Sequence, residues 1–387
     1  MDLDPATIAR ALQRRFARRP AARGAARHAP ARVPTARTGK VYLVVGGHGF
    51  LGSNLVEGLL ARGEDRVHVF DAAPSRLFDE EVRRGAVVFH HGDLRDAKQV
   101  EEACAGVSTV FHAAARVDYW SDLPFELDAL HAVNVTGTEN VIAGCRARGV
   151  EQLVFTSSSS VVVPADVLAR PIALADESAP YAAAPYLCHY IRTKGAAERA
   201  VLAADGRDGL RTAALRPGGM YGPRDPLLVP GAVAGLPGLG RTDNVVDFIY
   251  VENVVHAFLL LEQRLAPGHP TCGRAYFVTN YDPARGSESY LAFNQRFTAA
   301  FGKRFQLAPA GAVSATAAAV QAAMRLSEGG VAPYLGHLGK LRPASVTLAR
   351  ATYYFTHRRA AADFGYAPLY SVDEAMERTA AHHRLGG

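Results

Sequence analysis

Cysteine is scarce in this chain of 387 residues: Cys104, Cys145, Cys188 and Cys272 are widely scattered, with no CxxC pair. That spacing excludes a thiolate zinc site and a disulfide framework, and it points to a reducing compartment. No apolar run reaches about 18 residues, so a membrane span of ordinary length is excluded, while a peripheral contact stays open. A charge excess is also missing from most of the chain. The formal net charge is +6, yet residues 1–40 hold nine arginines and Lys40 against Asp2 and Asp4, which leaves 33 of the 43 basic and 35 of the 37 acidic residues for the rest. A body so balanced gives nucleic acid no electrostatic footprint.

Residues 1–39, rich in Arg, Ala and Pro, place Ile8, Leu12 and Phe16 at four-residue spacing, as a short basic amphipathic helix does. A targeting or membrane-surface segment, a disordered extension and a start codon placed too early are three readings of this tail. The expected location is the cytoplasm or the cytoplasmic face of a membrane.

What the chain has in quantity is apolar residues, 49%, and glycine, 36 residues. From Lys40 onward short apolar runs alternate with helical patterns. KVYLVV (40–45), RVHVFD (66–71), AVVFHHGDL (86–94), STVFHAAA (108–115), EQLVFTSS (151–158) and RTAALRP (211–217) read as strands. Between the first two, Leu51, Leu55, Leu59 and Leu60 share a helical face that stops at Gly63. This alternation predicts a doubly wound α/β fold: a parallel sheet with helices on both faces. The expected division is a tail (1–39), a dinucleotide-binding domain (40–215) and a substrate-binding part (216–387), with DNVVDFIYV and AYFVTN returning to the main sheet.

VVGGHGFLGSN (44–54) sets Gly46, Gly49 and Gly52 in a GxxGxxG spacing between strand and helix. Glycine allows a tight turn, close approach of a pyrophosphate and hard packing of helix on sheet. The first helical amides, at Phe50 and Leu51, then face the phosphates with the positive end of the helix dipole. Asp71 stands at the end of the second strand, where a carboxylate accepts the ribose hydroxyls and repels a 2′-phosphate. NAD is therefore favoured over NADP, with Arg76 close by as the argument against. Asp93, before Leu94, reads either as a partner of the adenine amino group or as the cap of a helix starting near Ala97. Small residues at Ala113 and Ala114 let backbone approach a ligand. His112 reads as a structural histidine, the His90-His91 and His382-His383 pairs read no better as ligands, and no metal is expected.

The reaction chemistry is expected at Ser158, Tyr190 and Lys194. FTSSSSVV (155–162) is a hydroxyl-rich turn after a strand, and PYLCHYIRTKGAAE (185–198) reads as a helix with Tyr190 and Lys194 four apart on one face. A phenol of ordinary pKa about 10 is a poor base at neutral pH, but a neighbouring ammonium and a positive nicotinamide ring favour phenolate. Ser158 would then orient the reacting oxygen, and Lys194 would also hold the nicotinamide ribose.

These motifs resemble the extended short-chain dehydrogenase/reductase superfamily, marked by GxxGxxG, an upstream serine and YxxxK, over nearly all of residues 40–385. The resemblance implies that Ser158, three before Val161, is the family serine, that Asn134 in HAVNVTGTEN lies near cofactor and active-site helix, and that Pro217 in LRPGGMYGP backs the nicotinamide. RPGGMYGPRDPLLVP (216–230), VVDFIYVENVVHAFLLLEQRL (245–265) and FGYAPLYSVDEAMERT (364–379) are similar to the 3β-hydroxysteroid dehydrogenase family, especially its branch that oxidises and decarboxylates 4α-carboxysterols. That implies NAD-dependent oxidation of a 3β-hydroxyl on a lipid-like substrate, with Arg224 in the GPRDP turn reading either as the cation for a substrate carboxylate or as a surface or loop-bracing arginine. GAVAGLPGLGRTDN (231–244) is shorter than the family pattern, and 308–345 reads as an Ala-rich lid. Alternatives are a plain 3β-hydroxysteroid dehydrogenase, a long-chain β-keto acid reductase, a sugar-nucleotide epimerase or dehydratase holding a pyrophosphate with later basic residues, and a non-catalytic NAD sensor. A homodimer stays open.

Overall fold

A computed structural model describes residues 36–280 and 288–384 of the chain; the basic segment before residue 36 lies outside them. Seven strands form one all-parallel sheet: β1 (Tyr42–Val45), β2 (Val67–Asp71), β3 (Val87–His91), β4 (Thr109–His112), β5 (Gln152–Thr156), β6 (Arg211–Pro217) and β7 (Arg274–Val278). Their order is β7-β6-β5-β4-β1-β2-β3. A strand covered on both faces must be apolar throughout, which is why YLVV shows no alternation and is 0–1% exposed along its length. The pleat still sorts its side chains. Tyr42 and Val44 enter one core with helices α1 (Phe50–Ala61) and α5 (Val251–Arg264), through Leu51, Leu55, Leu59, Val254, Phe258 and Leu261. Leu43 and Val45 enter a second core on the opposite face, with α2 (Ala97–Ala103), α3 (Gly137–Ala147) and α4 (His189–Ala203). Gly58 has no room for a side chain: a Cβ there would stand 2.5 Å from Val255 Cγ1, so α1 and α5 pack at backbone distance.

Two sequence expectations are corrected here. AYFVTN does return to the main sheet, with Val278 level with Pro217, but Phe248–Tyr250 pairs instead with Gly219–Tyr221 in a separate two-stranded ribbon. In the main sheet β6 is already flanked by β5 and β7, so Phe248–Tyr250 does not pair beside it. The Tyr190 helix starts at His189 rather than at Pro185, because Cys188 is extended (φ −154°, ψ 163°) and serves as its N-cap.

Later segments close over one end of the sheet. Helix α6 (Ala310–Leu326) buries Val313, Ala317, Val320 and Met324 against Leu123 and Val346, the last on α7 (Pro343–Arg350). Among the described residues no helix is long and apolar enough to cross a membrane.

Candidate active site

Strand order reverses between β1 and β4, and the loops leaving their C-terminal ends meet there, where open α/β sheets bind ligands. Gly46 has φ +83°, and a Cβ on it would lie 2.7 Å from the backbone of Ala114. A Cβ on Gly52 would lie 1.9 Å from the carbonyl oxygen of Gly46. The turn thus admits no side chain at either position. Gly49 is the N-cap of α1 and offers no side chain to the first helical amides, so the N–H groups of Phe50 and Leu51 are left for a ligand. A Gly52→Ala substitution is expected to weaken dinucleotide binding about 100-fold or more by pushing the helix start off the turn, read by titrating the quenching of protein fluorescence with NADH.

Asp71 lies beside this turn: one carboxylate oxygen accepts from the His48 N–H at 3.0 Å and the other from the Ala73 N–H at 2.9 Å. It fixes the loop and keeps lone pairs for further donors. Asp93 does not cap the next helix. Asp96 does, accepting from the amides of Lys98 and Gln99, while Asp93 is held by the backbone and guanidinium of Arg95, which keeps its carboxyl at about 2. Leu94 is buried where a Cβ on Gly137 would touch it at 2.6 Å. Ala113 continues the β4 ladder through its N–H to Val45 O at 2.9 Å. His112 is fully buried against Thr138 at 3.0 Å, and burial drops its imidazole to about 3.

Asn134 sits in a π-helical turn (Ala132–Thr136), a geometry that marks local departures from regular helix. Its Oδ1 accepts from Arg116 N–H at 2.8 Å, and its Nδ2 donates to Arg116 O at 3.1 Å and Thr193 Oγ1 at 3.2 Å. One side chain thereby joins the loop after β4 to α4. Pro217 ends β6 beside Gly218, where a Cβ would meet the Asp247 carbonyl oxygen at 2.6 Å.

Ser158 leaves β5 in extended conformation and caps the short helix Ser159–Val162, with its Oγ 2.8 Å from Ser160 Oγ. Tyr190 and Lys194 are 4% and 2% exposed on the face of α4 that packs towards β5. Lys194 Nζ donates to Thr156 O at 2.6 Å and stands 4.1 Å from the centre of the Phe155 ring. Burial drops this ammonium to about 7, and the carboxylate of Glu198 opposes the fall. Burial likewise pushes the Tyr190 phenol well above its ordinary value, with Tyr119 adding to the rise and the Ser158 hydroxyl opposing it. The expected acidification belongs to the complex, where a positive nicotinamide ring joins the ammonium; in the protein alone, loss of water around the phenol holds it high.

Tyr119 was not legible as part of the site. It lies in the loop after β4, with its ring 4.6 Å from that of Tyr190. The only hint in the sequence is an aromatic pair, Tyr119-Trp120, following a small-residue run. Arg224, read either as the cation for a substrate carboxylate or as a bracing residue, donates to Glu57 of α1 at 2.7 Å and lies 3.4 Å from Ser53 Oγ. This ion pair ties the GPRDP turn (222–226) to α1, as the loop-bracing reading of Arg224 expects.

A family model described as the 3-beta hydroxysteroid dehydrogenase/isomerase family matches residues 43–308. The chain belongs to this family. Among curated relatives, the sterol-4-alpha-carboxylate 3-dehydrogenase, decarboxylating, of Mus musculus is 36% identical over 88% of this chain and 90% of its own length. A 2-alkyl-3-oxoalkanoate reductase of Stenotrophomonas maltophilia is 35% identical over 88% of this chain and 98% of its own length. The crystal structure of Thermus thermophilus UDP-glucose 4-epimerase in complex with NAD superposes with a TM-score of 0.63, at 27% identity over 89% of this chain and 98% of that one. As a member of the 3-beta hydroxysteroid dehydrogenase/isomerase family, the protein is an NAD(P)-dependent oxidoreductase acting on a CH–OH group. The glycine turn, with its two positions closed to any Cβ and its uncapped helix start, fits that cofactor.

Proposed function

We propose that the protein oxidises the 3β-hydroxyl of a sterol-like substrate with NAD, through Ser158, Tyr190 and Lys194, and that a 4α-carboxyl group on the product is lost as carbon dioxide. The observation that carries this reading is the convergence of a Ser158 hydroxyl, a buried Tyr190 and a buried Lys194 at the end of β5 in a chain whose glycine turn fits a dinucleotide. A bound NAD would be held at its pyrophosphate by the glycine turn of Gly46, Gly49 and Gly52 and would supply the hydride acceptor and a positive charge. Ser158 donates a hydrogen bond to the substrate oxygen and fixes its position. Tyr190 Oη, having first given up its own proton to become the phenolate, takes the hydroxyl proton as the carbinol carbon is oxidised. Asn134 keeps the two sides of the site in register. In a β-keto acid the carboxylate electrons flow into the neighbouring ketone as carbon dioxide leaves, so donors at that oxygen suffice and no second base is needed.

Asp71 supports NAD over NADP. Asp71→Asn keeps an acceptor for the glycine turn and removes the charge, so the kcat/KM preference for NAD is expected to shrink about tenfold or more, measured with both cofactors. Three arginines of the later part are matched by carboxylates: Arg342 by Asp122 and Glu126, Arg378 by Glu252, Arg296 by Glu288 and Asp373. That supports a lipid-like substrate over a sugar nucleotide. The test is a panel of 4-carboxysterols, 3β-hydroxysteroids, long-chain β-hydroxy acids and UDP-sugars with NAD or NADP, following absorbance of the reduced cofactor. Turnover confined to UDP-sugars would refute the proposal. Turnover confined to the β-hydroxy acids would move the assignment to the reductase reading, which the Stenotrophomonas relative favours.

A further inference from the structure

We propose that Arg342 is a positioning residue of the active site: its guanidinium joins the start of α7 to the loop of residues 113–126, and this sets where the apolar wall of the site stands against Tyr190. The inference rests on the reading of Tyr190 as the base. Arg342 is the N-cap of α7, and its own N–H donates to Ser345 Oγ at 3.1 Å, so the root of its side chain is fixed to the helix. The guanidinium is buried and meets three side chains from two elements. Nη1 donates to Glu126 Oε1 at 2.5 Å, Nη2 to Asp122 Oδ1 at 2.5 Å and to Glu126 Oε2 at 3.0 Å, and Nε to Gln321 Oε1 of α6 at 2.6 Å. Gln321 closes the ring by donating from Nε2 to Asp122 Oδ1 at 2.7 Å. A planar fork satisfied in this way has one geometry, which an ammonium does not reproduce.

Hydrogen bonds carry that geometry from the loop to the helix of Tyr190. The Glu126 carboxylate that meets Arg342 also accepts from the N–H groups of Asp122 and Leu123, at 3.1 and 3.0 Å. Leu123 O accepts from the His189 ring at 3.0 Å, and Ser121 O accepts from the His189 N–H at 2.7 Å. His189 opens α4 and immediately precedes Tyr190. From the other direction, α7 sends Ala344 and Leu348 into one apolar cluster with Tyr190, Cys188 and Ile191. The helix that walls the site is therefore tied, at its N-cap, to the loop that holds the start of α4.

Packing alone supplies little of this register. Helix α6 meets the loop and α7 through two small clusters, Leu123 with Val320 and Met324, and Val313 with Ala317 and Val346. Its sequence is rich in alanine, and faces of small side chains interdigitate little, so an apolar contact of this kind leaves the register loosely specified. A buried ionic group with every acceptor in place removes that freedom. The far end of α7 is held separately, since Asn244 Nδ2 donates to Ala349 O and Ala351 O at 3.0 Å each. Loss of the guanidinium thus frees one end of the helix and leaves the other in place.

Arg342→Met keeps an apolar stem and removes the fork. KM and kcat for the panel alcohol that turns over best would be measured, with the NADH Kd and the melting temperature, for wild type, Arg342→Met, Arg342→Lys and Tyr190→Phe. Arg342→Met leaves Asp122 and Glu126 unmatched, so its melting temperature falls; the triple variant Arg342→Met, Asp122→Asn, Glu126→Gln removes the charges together and is expected to melt near the wild type. KM is expected to rise about tenfold in Arg342→Met and to stay raised in the triple variant, with kcat within about threefold and the NADH Kd unchanged. Arg342→Lys keeps the charge without the fork and is expected to recover melting temperature but not KM. A wild-type KM in the triple variant, or in Arg342→Met below its melting temperature, overturns the role of Arg342 and leaves Tyr190 in place. Full activity of Tyr190→Phe overturns both.

Discussion

Tyr190→Phe is expected to lower kcat/KM for the alcohol by about 10³-fold, while the melting temperature and the NADH Kd stay close to those of the wild type. The reasoning is volumetric as well as chemical. Tyr190 is 4% exposed and lies among apolar neighbours such as Ile191, Leu130 and Val163, so phenylalanine occupies the same space without opening a cavity. Ser158 keeps its contact with Ser160 Oγ at 2.8 Å, so the lost hydroxyl does not orphan it. What disappears is the acceptor for the substrate proton. Lys194→Met differs, because it also strips Thr156 O of a buried donor at 2.6 Å; it should cost stability as well as rate. A Tyr190→Phe enzyme within threefold of the wild-type rate would mean that another group removes the proton.

The parts of this site that were legible in the sequence are those built at short range. GxxGxxG is a backbone constraint written in three residues, and the structure shows why at Gly46 and Gly52, where a Cβ would strike Ala114 or the turn itself. Tyr190 and Lys194 share a face because helix geometry fixes i and i+4. The strands announced themselves as apolar runs because both faces of a parallel sheet are buried. The remainder depends on chain segments far apart. Arg342 meets Asp122 across 220 residues, and no local pattern separates it from a surface arginine. Tyr119 belongs to the site only because the loop of residues 113–126 folds back onto α4. Spacing also shows that an ammonium lies near Tyr190 but not how completely water is removed around the phenol, and in the protein alone burial raises it. The partner of Arg224, Glu57 on α1, is equally remote in sequence, 167 residues away.

The helix that carries Tyr190 and Lys194 also carries Glu198, the acid of the ion pair whose loss is expected to harm the fold most. Glu198 is fully buried; it accepts from Arg216 at 2.6 and 3.0 Å and from the Tyr181 hydroxyl at 2.5 Å. Arg216, on β6, has the rings of Tyr181 and Phe277 each 5.1 Å from its guanidinium. Glu198→Ala would leave that guanidinium buried and unmatched, at a cost of about 3–5 kcal/mol, because the desolvation of the remaining charge is no longer offset. In a chain of this size the melting temperature should fall by about 5–10 °C, measured by calorimetry or circular dichroism. The double substitution Glu198→Leu with Arg216→Met separates this cause from mere crowding or cavity effects: removing both charges together should restore most of the lost stability. It should not restore activity. Glu198 is also the charge that resists the fall of the Lys194 pKa, so without it the ammonium titrates below about 7 and less of it is charged at neutral pH. Stability and turnover would then part company in the double variant, with melting near wild type and kcat depressed. If both recovered together, the carboxylate would be a packing element alone and its influence on Lys194 would be negligible.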